Sequence, residues 1–325
     1  MNAILALQSS GATLATAGGK GANLAALARA GFDAPPGFIL TTEAYRAFVV
    51  RNEVGSFIAS ITDSLDQGDP IALEAASARI RARFAAGVMP EMIGEDIETA
   101  LARLGPGVRV AVRSSATAED LPGLSFAGQQ DTFLNVLGAA NVRAAVVQCW
   151  SSLWTARAMG YRARNRIDPA GIALAVVVQV MVDAEASGVM FTANPLSGHR
   201  GEIVIDATFG LGEALVAGLV TPDHIVVERR TGRILTHKRG TKALAIRPQP
   251  GGGTIQTAEP GAAERAALSE ADIAALVDMG ERAEALFGGP QDLEWARAGG
   301  RMQVLQSRPI TTLYPLPEPR LADNG

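Results

Sequence analysis

The chain is poor in the residues from which metal cages and disulfide frameworks are built. Its 325 residues include one cysteine, Cys149, and three histidines, His199, His224 and His237. A single cysteine excludes an intrachain disulfide and a Cys-based zinc cage. The histidines are too scattered to suggest a metal cluster. Charge is also scarce, at 19% of residues with a net of −4, so there is no electrostatic case for nucleic acid or an anionic membrane as partner. Long apolar runs are missing too. The longest, residues 172–178, is strand-length and far short of the ~20 residues a membrane span needs. The apolar stretch at residues 3–7 is too short for a signal peptide and has no basic residues before it. These absences leave a soluble, cytoplasmic protein as the default expectation.

What is present is a globular composition, 48% hydrophobic, on a chain long enough for a large core and more than one domain. Residues 108–136, VRVAVRSSATAEDLPGLSFAGQQDTFLNV, stand out. An apolar strand ends in Arg113, Ser114 and Ser115, and a long Ser/Thr/Gly/Gln loop leads to a second strand, 131–136. A cation and small hydroxyls at a strand tip suit an anion; a solvated arginine on a surface loop is the plain alternative. Earlier, Gly18-Gly19-Lys20-Gly21 precedes the helical run NLAALARA, closed by Gly31. A glycine loop feeding a helix N-terminus, with a lysine in it, can hold phosphate. It is not a Walker A loop, since Leu14 and Gly21 stand where glycine and Ser/Thr belong. As a pattern alone the signal is weak, and a plain turn is the commoner reading.

Thr42 is a candidate N-cap for a helix carrying Tyr45 and Phe48. Residues 71–86 and 91–104 read as amphipathic scaffold helices, and 141–166 as one long helix with Trp150 and Trp154 on a shared, core-facing side. Strands are expected at 172–182 and 188–192. Gln179 interrupts the first, either as a structural hydrogen bond or at the edge that reads an adenine base. A Pro/Gly/Ser loop at 193–200 is the expected boundary between two subdomains, 1–195 and 196–313, with 314–325 as a proline-rich tail. Strands follow at 202–207, 225–229 and 234–239. GLGEALVAG, at 210–218, lacks the third glycine of a dinucleotide fingerprint, which removes a Rossmann site and leaves a dinucleotide oxidoreductase without support. Residues 248–261 read as a flexible segment, and Ser269, with Asp272, as the cap of a helix ended by Gly288.

The segment QDLEWARAGGRMQVLQSRP reads as a hairpin with Ala298-Gly299-Gly300 as its loop. Arg297 then pairs with Arg301, Asp292 with Gln306, and Glu294 with Val304. Asp292, Glu294, Gln306 and Arg308 fall on one face; Leu293, Trp295 and Leu305 fall on the other, toward a core. Two carboxylates, an amide and a guanidinium make an oxygen-rich Mg²⁺ site beside a phosphate clamp. A polar, solvated hairpin face is the alternative, and a change of one residue in the loop scrambles the faces.

GGKGANLAAL at 18–27, the stretch 112–136, and QVMVDAEASGVMFTANPLSG at 179–198 together resemble the N-terminal nucleotide-binding domain of the PEP-utilising dikinases. GLGEALVAGLVTPD at 210–223 and DLEW…LQSRPITTL, ending at Leu313, extend the resemblance over residues 15–313. It implies an α+β ATP-grasp fold, two subdomains clasping ATP. It also implies that Lys20, Arg113 and Arg308 act on ATP phosphates, that Glu294 and Gln306 bind Mg²⁺ with Asp292 beside them, and that Gly128 and Thr132 lie in the phosphate-side loop. Gln179, Met181, Val182 and Asp183 resemble the adenine-contacting segment.

Members of that family pass phosphate to a histidine on a swivelling domain, and no histidine here matches its Thr-Ser-His motif. The resemblance therefore implies a phosphohistidine domain as partner, in cis in a longer protein or in trans to a stand-alone ATP module. The stretch LQSRPITTLYPLPEP is more similar to rifamycin phosphotransferases than to pyruvate phosphate dikinase, which points to a rifamycin hydroxyl as final acceptor. Pyruvate, as in phosphoenolpyruvate synthase, is the alternative, and a non-catalytic nucleotide-binding regulatory module is another.

Overall fold

The computed structural model describes residues 2–63, 65–66, 68–117, 131–165 and 172–313. Two antiparallel sheets carry an α+β fold. The first contains β1 (Ile4–Ala6), β2 (Gly37–Leu40), β3 (Arg109–Ala116), β4 (Thr132–Leu137) and β5 (Leu174–Val180), in the order β1-β2-β5-β3-β4. β5 reads LAVVVQV because both its faces are covered. Val176 and Val178 point into a core shared with helices α2 (Thr42–Arg51) to α7 (Ala156–Arg164), whereas Ala175 and Val177 point at α1 (Leu14–Arg29).

The second sheet contains β6 (Ala186–Phe191), β7 (Glu202–Phe209), β8 (Asp223–Glu228), β9 (Arg233–Lys238), β12 (Gln291–Ala298) and β13 (Arg301–Pro309). Their order is β13-β12-β6-β7-β8-β9. Its apolar face packs on α9 (Glu270–Phe287), with Trp295, Leu293, Ile205 and Ile225 in one core with Leu276 and Ile273. β10 (Leu244–Pro248) and β11 (Thr254–Ala258) form a separate hairpin beside the short helix α8 (Glu213–Val216).

α1 serves both sheets. Leu24 and Ala25 pack under the first, and Leu27 joins the core of the second. Asn23 Nδ2 donates to the Ser307 carbonyl at 3.0 Å, and the Val304 amide donates to Asp33 O at 2.9 Å just past the helix end. The two layers are thus held by one amphipathic element whose apolar residues point both ways.

Several expectations need correction. α1 begins at Leu14, ahead of the glycines, and is broken at Gly18 (φ 68°, ψ 176°). A left-handed φ costs glycine nothing, so two helical stretches can meet there. The run 141–166 is not one helix: α6 (Ala139–Ser151) ends in a 3₁₀ turn, Ser152–Trp154, and Thr155 starts α7 by accepting from the Ala158 amide. Trp150 and Trp154 are buried, as expected. α3 (Val54–Thr62) was not foreseen, because a glycine and β-branched residues give it little propensity; burial of Val54, Ile58 and Ile61 holds it. Thr41, not Thr42, sits at the cap of α2, and the Thr42 hydroxyl instead donates to Ala15 O at 2.8 Å. Residues 248–261 include the turn and second strand of the β10–β11 hairpin, with Leu244 paired to Ala258. The chain changes sheets within residues 181–185, since β6 pairs with β12 and β7; residues 193–200 are the β6–β7 connection inside the second sheet.

Ser269 and Asp272 form the expected reciprocal cap of α9, and Gly288 ends it at φ 73°. Burial pushes the Asp272 carboxyl up, but hydrogen bonds from Ser269 and Arg297 outweigh it and hold the group below the usual carboxylate range. A depressed carboxyl stabilises the fold fully above its unfolded pKa of about 4 and loses that contribution as pH falls through its lower folded value. Ser269→Ala is expected to cost about 1 kcal/mol in urea denaturation at pH 7. The gap to the parent chain should narrow as the pH is taken down through and below the ordinary carboxylate range, where Asp272 protonates. A gap of equal size at neutral and at acid pH would show that the carboxylate has no part in the cap.

Candidate functional site

The site starts from a hairpin. Gly299 and Gly300, at φ 56° and 74°, form a two-residue connection, and Ala298 pairs with Arg301. Left-handed backbone at both positions is the type I′ geometry that matches strand twist. The three-residue loop expected from the sequence is therefore wrong. A two-residue loop in perfect register would set Asp292 opposite Ser307 and turn Gln306 and Arg308 away. A bulge prevents this: Trp295 pairs with Val304, but Glu294 pairs with Gln306 and Asp292 with Arg308. Leu305 is the extra residue, so it lines the cleft instead of the core, and Val304 takes the buried place. The expected shared face of Asp292, Glu294, Gln306 and Arg308 is present, through different pairs.

The facing wall comes from the first sheet. Arg113 leaves β3 and places Nη1 3.4 Å from Glu294 Oε2 and 3.4 Å from Leu305 O. Its Nε is buried without a hydrogen-bond partner among the described residues. The glycine segment is latched to the same strand tip. Ser115 Oγ donates to Ala17 O at 2.8 Å and accepts from the Gly21 amide at 3.0 Å. A Cβ on Gly18 would lie 2.2 Å from Ser115 O, so only glycine lets the two backbones approach. This latch carries Lys20 beside Arg113, with Nζ 3.4 Å from Ser114 O.

Between the walls lies a cleft of about 540 Å³, within the range of small-molecule sites. Lys20, Arg113, Asp292, Glu294, Gln306 and Arg308 line its charged part. Leu134, Met181, Val182 and Leu211 belong to a small apolar cluster that lines another part. Arg308 Nε donates to Asp292 Oδ2 at 2.8 Å. Burial pushes the Asp292 carboxyl up; Arg308 pulls it down, Glu294 pushes it up again, and it ends above the usual carboxylate range.

Thr132 and Gln179 also line the cleft. Gln179 Nε2 donates to Pro35 O at 3.2 Å, which satisfies the structural reading of this buried amide. Asp183 is not on the wall: its carboxylate accepts from Arg109 Nη2 at 2.7 and 2.8 Å and is largely exposed. Gly128 lies outside the described residues. Sequence reasoning from the residues missed Gly212, Glu213, Val216 and Ala217, which line the cleft from α8 and its flanks. GLGEALVAG reads from its residues as a failed dinucleotide fingerprint and otherwise enters only as part of the family resemblance. The available signal was a short apolar run bracketed by glycines, with Gly210 and Gly218 both at positive φ. Ser187 and Gly188 on β6 were missed as well; a Cβ on Gly188 would lie 1.9 Å from Asp206 O and 2.8 Å from the Trp295 ring.

The cleft thus joins two antiparallel sheets, with cations from separate elements at one part and apolar side chains at another. Residues 14–320 match the family described as pyruvate phosphate dikinase, AMP/ATP-binding domain, and the chain belongs to that family. It is 44% identical over 302 residues to a probable phosphoenolpyruvate synthase of Methanothermobacter thermautotrophicus, covering 91% of this chain and 44% of that protein. It is 44% identical over 309 residues to a rifampicin phosphotransferase of a Streptomyces species, covering 94% of this chain and 36% of that one. A phosphoenolpyruvate synthase of Pyrococcus furiosus is 41% identical over 342 residues, with 91% and 42% covered. The chain thus spans roughly two fifths of the length of these relatives. Among the described residues no helix is long and apolar enough to cross a membrane.

Gly18→Ala tests the latch. The clash with Ser115 and the left-handed backbone together should cost about 2 kcal/mol or more. Thermal denaturation checks this; a variant as stable as the parent would mean that the segment is not held against β3.

Proposed function

We propose that the cleft binds ATP with Mg²⁺ and that the chain is the phosphoryl-donor domain of a dikinase-type phosphotransferase. One observation carries the reading: Lys20 of α1, Arg113 of β3 and Arg308 of β13 converge where Glu294 and Gln306 also sit, while Leu134, Met181, Val182 and Leu211 give another part of the cleft an apolar lining. Phosphoryl transfer needs little from a protein beyond positioning and charge neutralisation. In this reading Lys20, Arg113 and Arg308 hold phosphate oxygens, with Thr132 on the phosphate side. Asp292 aims Arg308. Gln179, Met181 and Val182 belong to the segment beside the adenine, where backbone groups can read the base.

The donor set fits Mg²⁺. Glu294 and Gln306 are directly paired across β12 and β13 and supply one carboxylate and one amide oxygen. Among the described residues no group of three or more His, Cys, Asp or Glu side chains could hold a metal. Two protein oxygens with phosphate and water completing the shell is the usual Mg²⁺ arrangement. Bound there, Mg²⁺ would offset the charge of the phosphates.

The phosphate leaves for a histidine on a swivelling domain, in cis or in trans. Overall, ATP, water and acceptor give AMP, inorganic phosphate and a phosphorylated acceptor. A rifamycin hydroxyl is the acceptor favoured by the tail sequence, and pyruvate is the alternative. Identity does not separate them, since relatives of both names stand at 44%.

Calorimetry with ATP and Mg²⁺ tests the reading. Lys20→Ala and Glu294→Gln should each weaken binding about tenfold or more, as expected for losing a charged contact. Unchanged affinity in both, with circular dichroism showing intact folds, overturns it. Mixing with ATP and a separately made histidine domain should yield AMP and phosphohistidine by phosphorus NMR. Binding without that transfer would favour a regulatory module.

A further inference from the structure

The β10–β11 hairpin belongs to neither large sheet, yet it touches both walls of the cleft. Its base is pinned to the second sheet by a fully buried ion pair between Lys242 and Asp223. Asp223 also accepts from the Gly240 amide at 2.9 Å and the Ala267 amide at 2.7 Å, so the buried charge is well satisfied. Its flank holds the segment that leads into α8. The Leu211 amide donates to Ile246 O at 2.9 Å, and Gly210, at φ 71°, pairs with Ile246 so closely that a Cβ would lie 2.5 Å from its carbonyl oxygen. Thr254 Oγ1 donates to Glu213 Oε2 at 3.3 Å.

Its tip reaches across to the first sheet. Asn135 of β4 is fully buried and sits at φ 55°. Its Nδ2 donates to Gln249 O and Gly253 O, both at 2.6 Å, and the Gly253 amide donates back to Asn135 O at 3.0 Å. Two facing carbonyls admit only the amide NH₂ in this orientation. Asn135 Oδ1 is left buried without a partner among the described residues. A left-handed backbone and an unpaired buried acceptor are two local costs at one residue. Such costs gather where placement matters more than local stability.

We infer that Asn135 is a positioning residue for the base-binding part of the cleft: it clasps the hairpin tip and so sets the distance between β4 and α8. The inference rests on the reading of the cleft as an ATP site. Leu134, next to Asn135, lines one side of the apolar part; Leu211, Val216 and Ala217 line another. The hairpin is tied to both. The phosphate part is organised separately, by the Ser115 latch and the β12–β13 register. Releasing the clasp therefore loosens the grip on the base and leaves the grip on phosphates.

The experiment compares AMP, ATP with Mg²⁺ and inorganic tripolyphosphate by calorimetry on the parent chain, Asn135→Gly and Asn135→Asp. Glycine keeps the left-handed backbone and removes the amide; aspartate keeps the shape and sets an acceptor against two carbonyls. Both variants should lose affinity for AMP and ATP on the order of tenfold, a typical coupling between linked sites. Tripolyphosphate binding should be unchanged, and hydrogen exchange at the Gly253 amide should accelerate. Parental AMP affinity in the variants overturns the inference, and so does an equal loss of tripolyphosphate binding, which would mark general destabilisation. Should the Asn135 variants fail to fold, Gly252→Ala is read with the same ligands, since it disturbs only the tip, at φ 102°. A parent chain that binds no ATP would overturn the ATP reading and this inference together. A parent that binds ATP beside unaltered variants would overturn the clasp alone.

Discussion

Everything at this site depends on the parity of one strand pairing. Glu294 opposite Gln306 and Asp292 opposite Arg308 put four polar groups on the cleft face and leave Trp295 and Leu293 for the core. Side chains alternate with period two, so a one-residue slip of β13 against β12 would turn Gln306 and Arg308 away from the two carboxylates. The glycine turn alone enforces the wrong parity, and the bulge at Leu305 corrects it. The same extra residue puts Leu305 O within 3.4 Å of Arg113, which joins the hairpin to the opposite sheet. Bulges beside functional sites are common because they re-aim side chains without altering the rest of the ladder.

The second constraint is how the two sheets are held. α1 packs on both, and its break at Gly18 lets the Lys20 segment lie against the tip of β3. A lysine and an arginine from distant parts of the chain thereby reach one anion-sized space. Cations brought so close repel one another unless acidic groups intervene. Glu294 does so for Arg113, and Asp292 for Arg308. Three cations and three carboxylates line the cleft, so its charge pattern reflects placement of both signs. The chain's membership in the pyruvate phosphate dikinase AMP/ATP-binding family stands beside a cleft that is cationic at one part and apolar at another.

Much of the fold was legible, and the misses share a cause. Helices with strong periodicity, such as residues 91–104, fell where expected to the residue. So did the cap of α9, because Ser, Asp and a trailing Gly act through local backbone geometry. α3 and the β10–β11 hairpin were missed, because their stability comes from neighbours and not from their own sequences. The hairpin's tip is rich in Gly and Pro and reads as a flexible link; the Asn135 carbonyl and amide hold it in place.

The sequence by itself determined which residues could do chemistry: Lys20 among glycines, Arg113 at a strand tip, and alternating Asp, Glu, Gln and Arg near the C-terminal hairpin. Composition and strand period suffice for that, since they act over a few residues. Only the tertiary structure decided that Lys20, Arg113 and the hairpin share one cleft, that Asp183 turns instead to Arg109, and that α8 closes another side. These are contacts between residues many positions apart. They are set by the packing of whole layers, by the close approach at Gly18 and by one inserted residue at Leu305, none of which a local pattern contains.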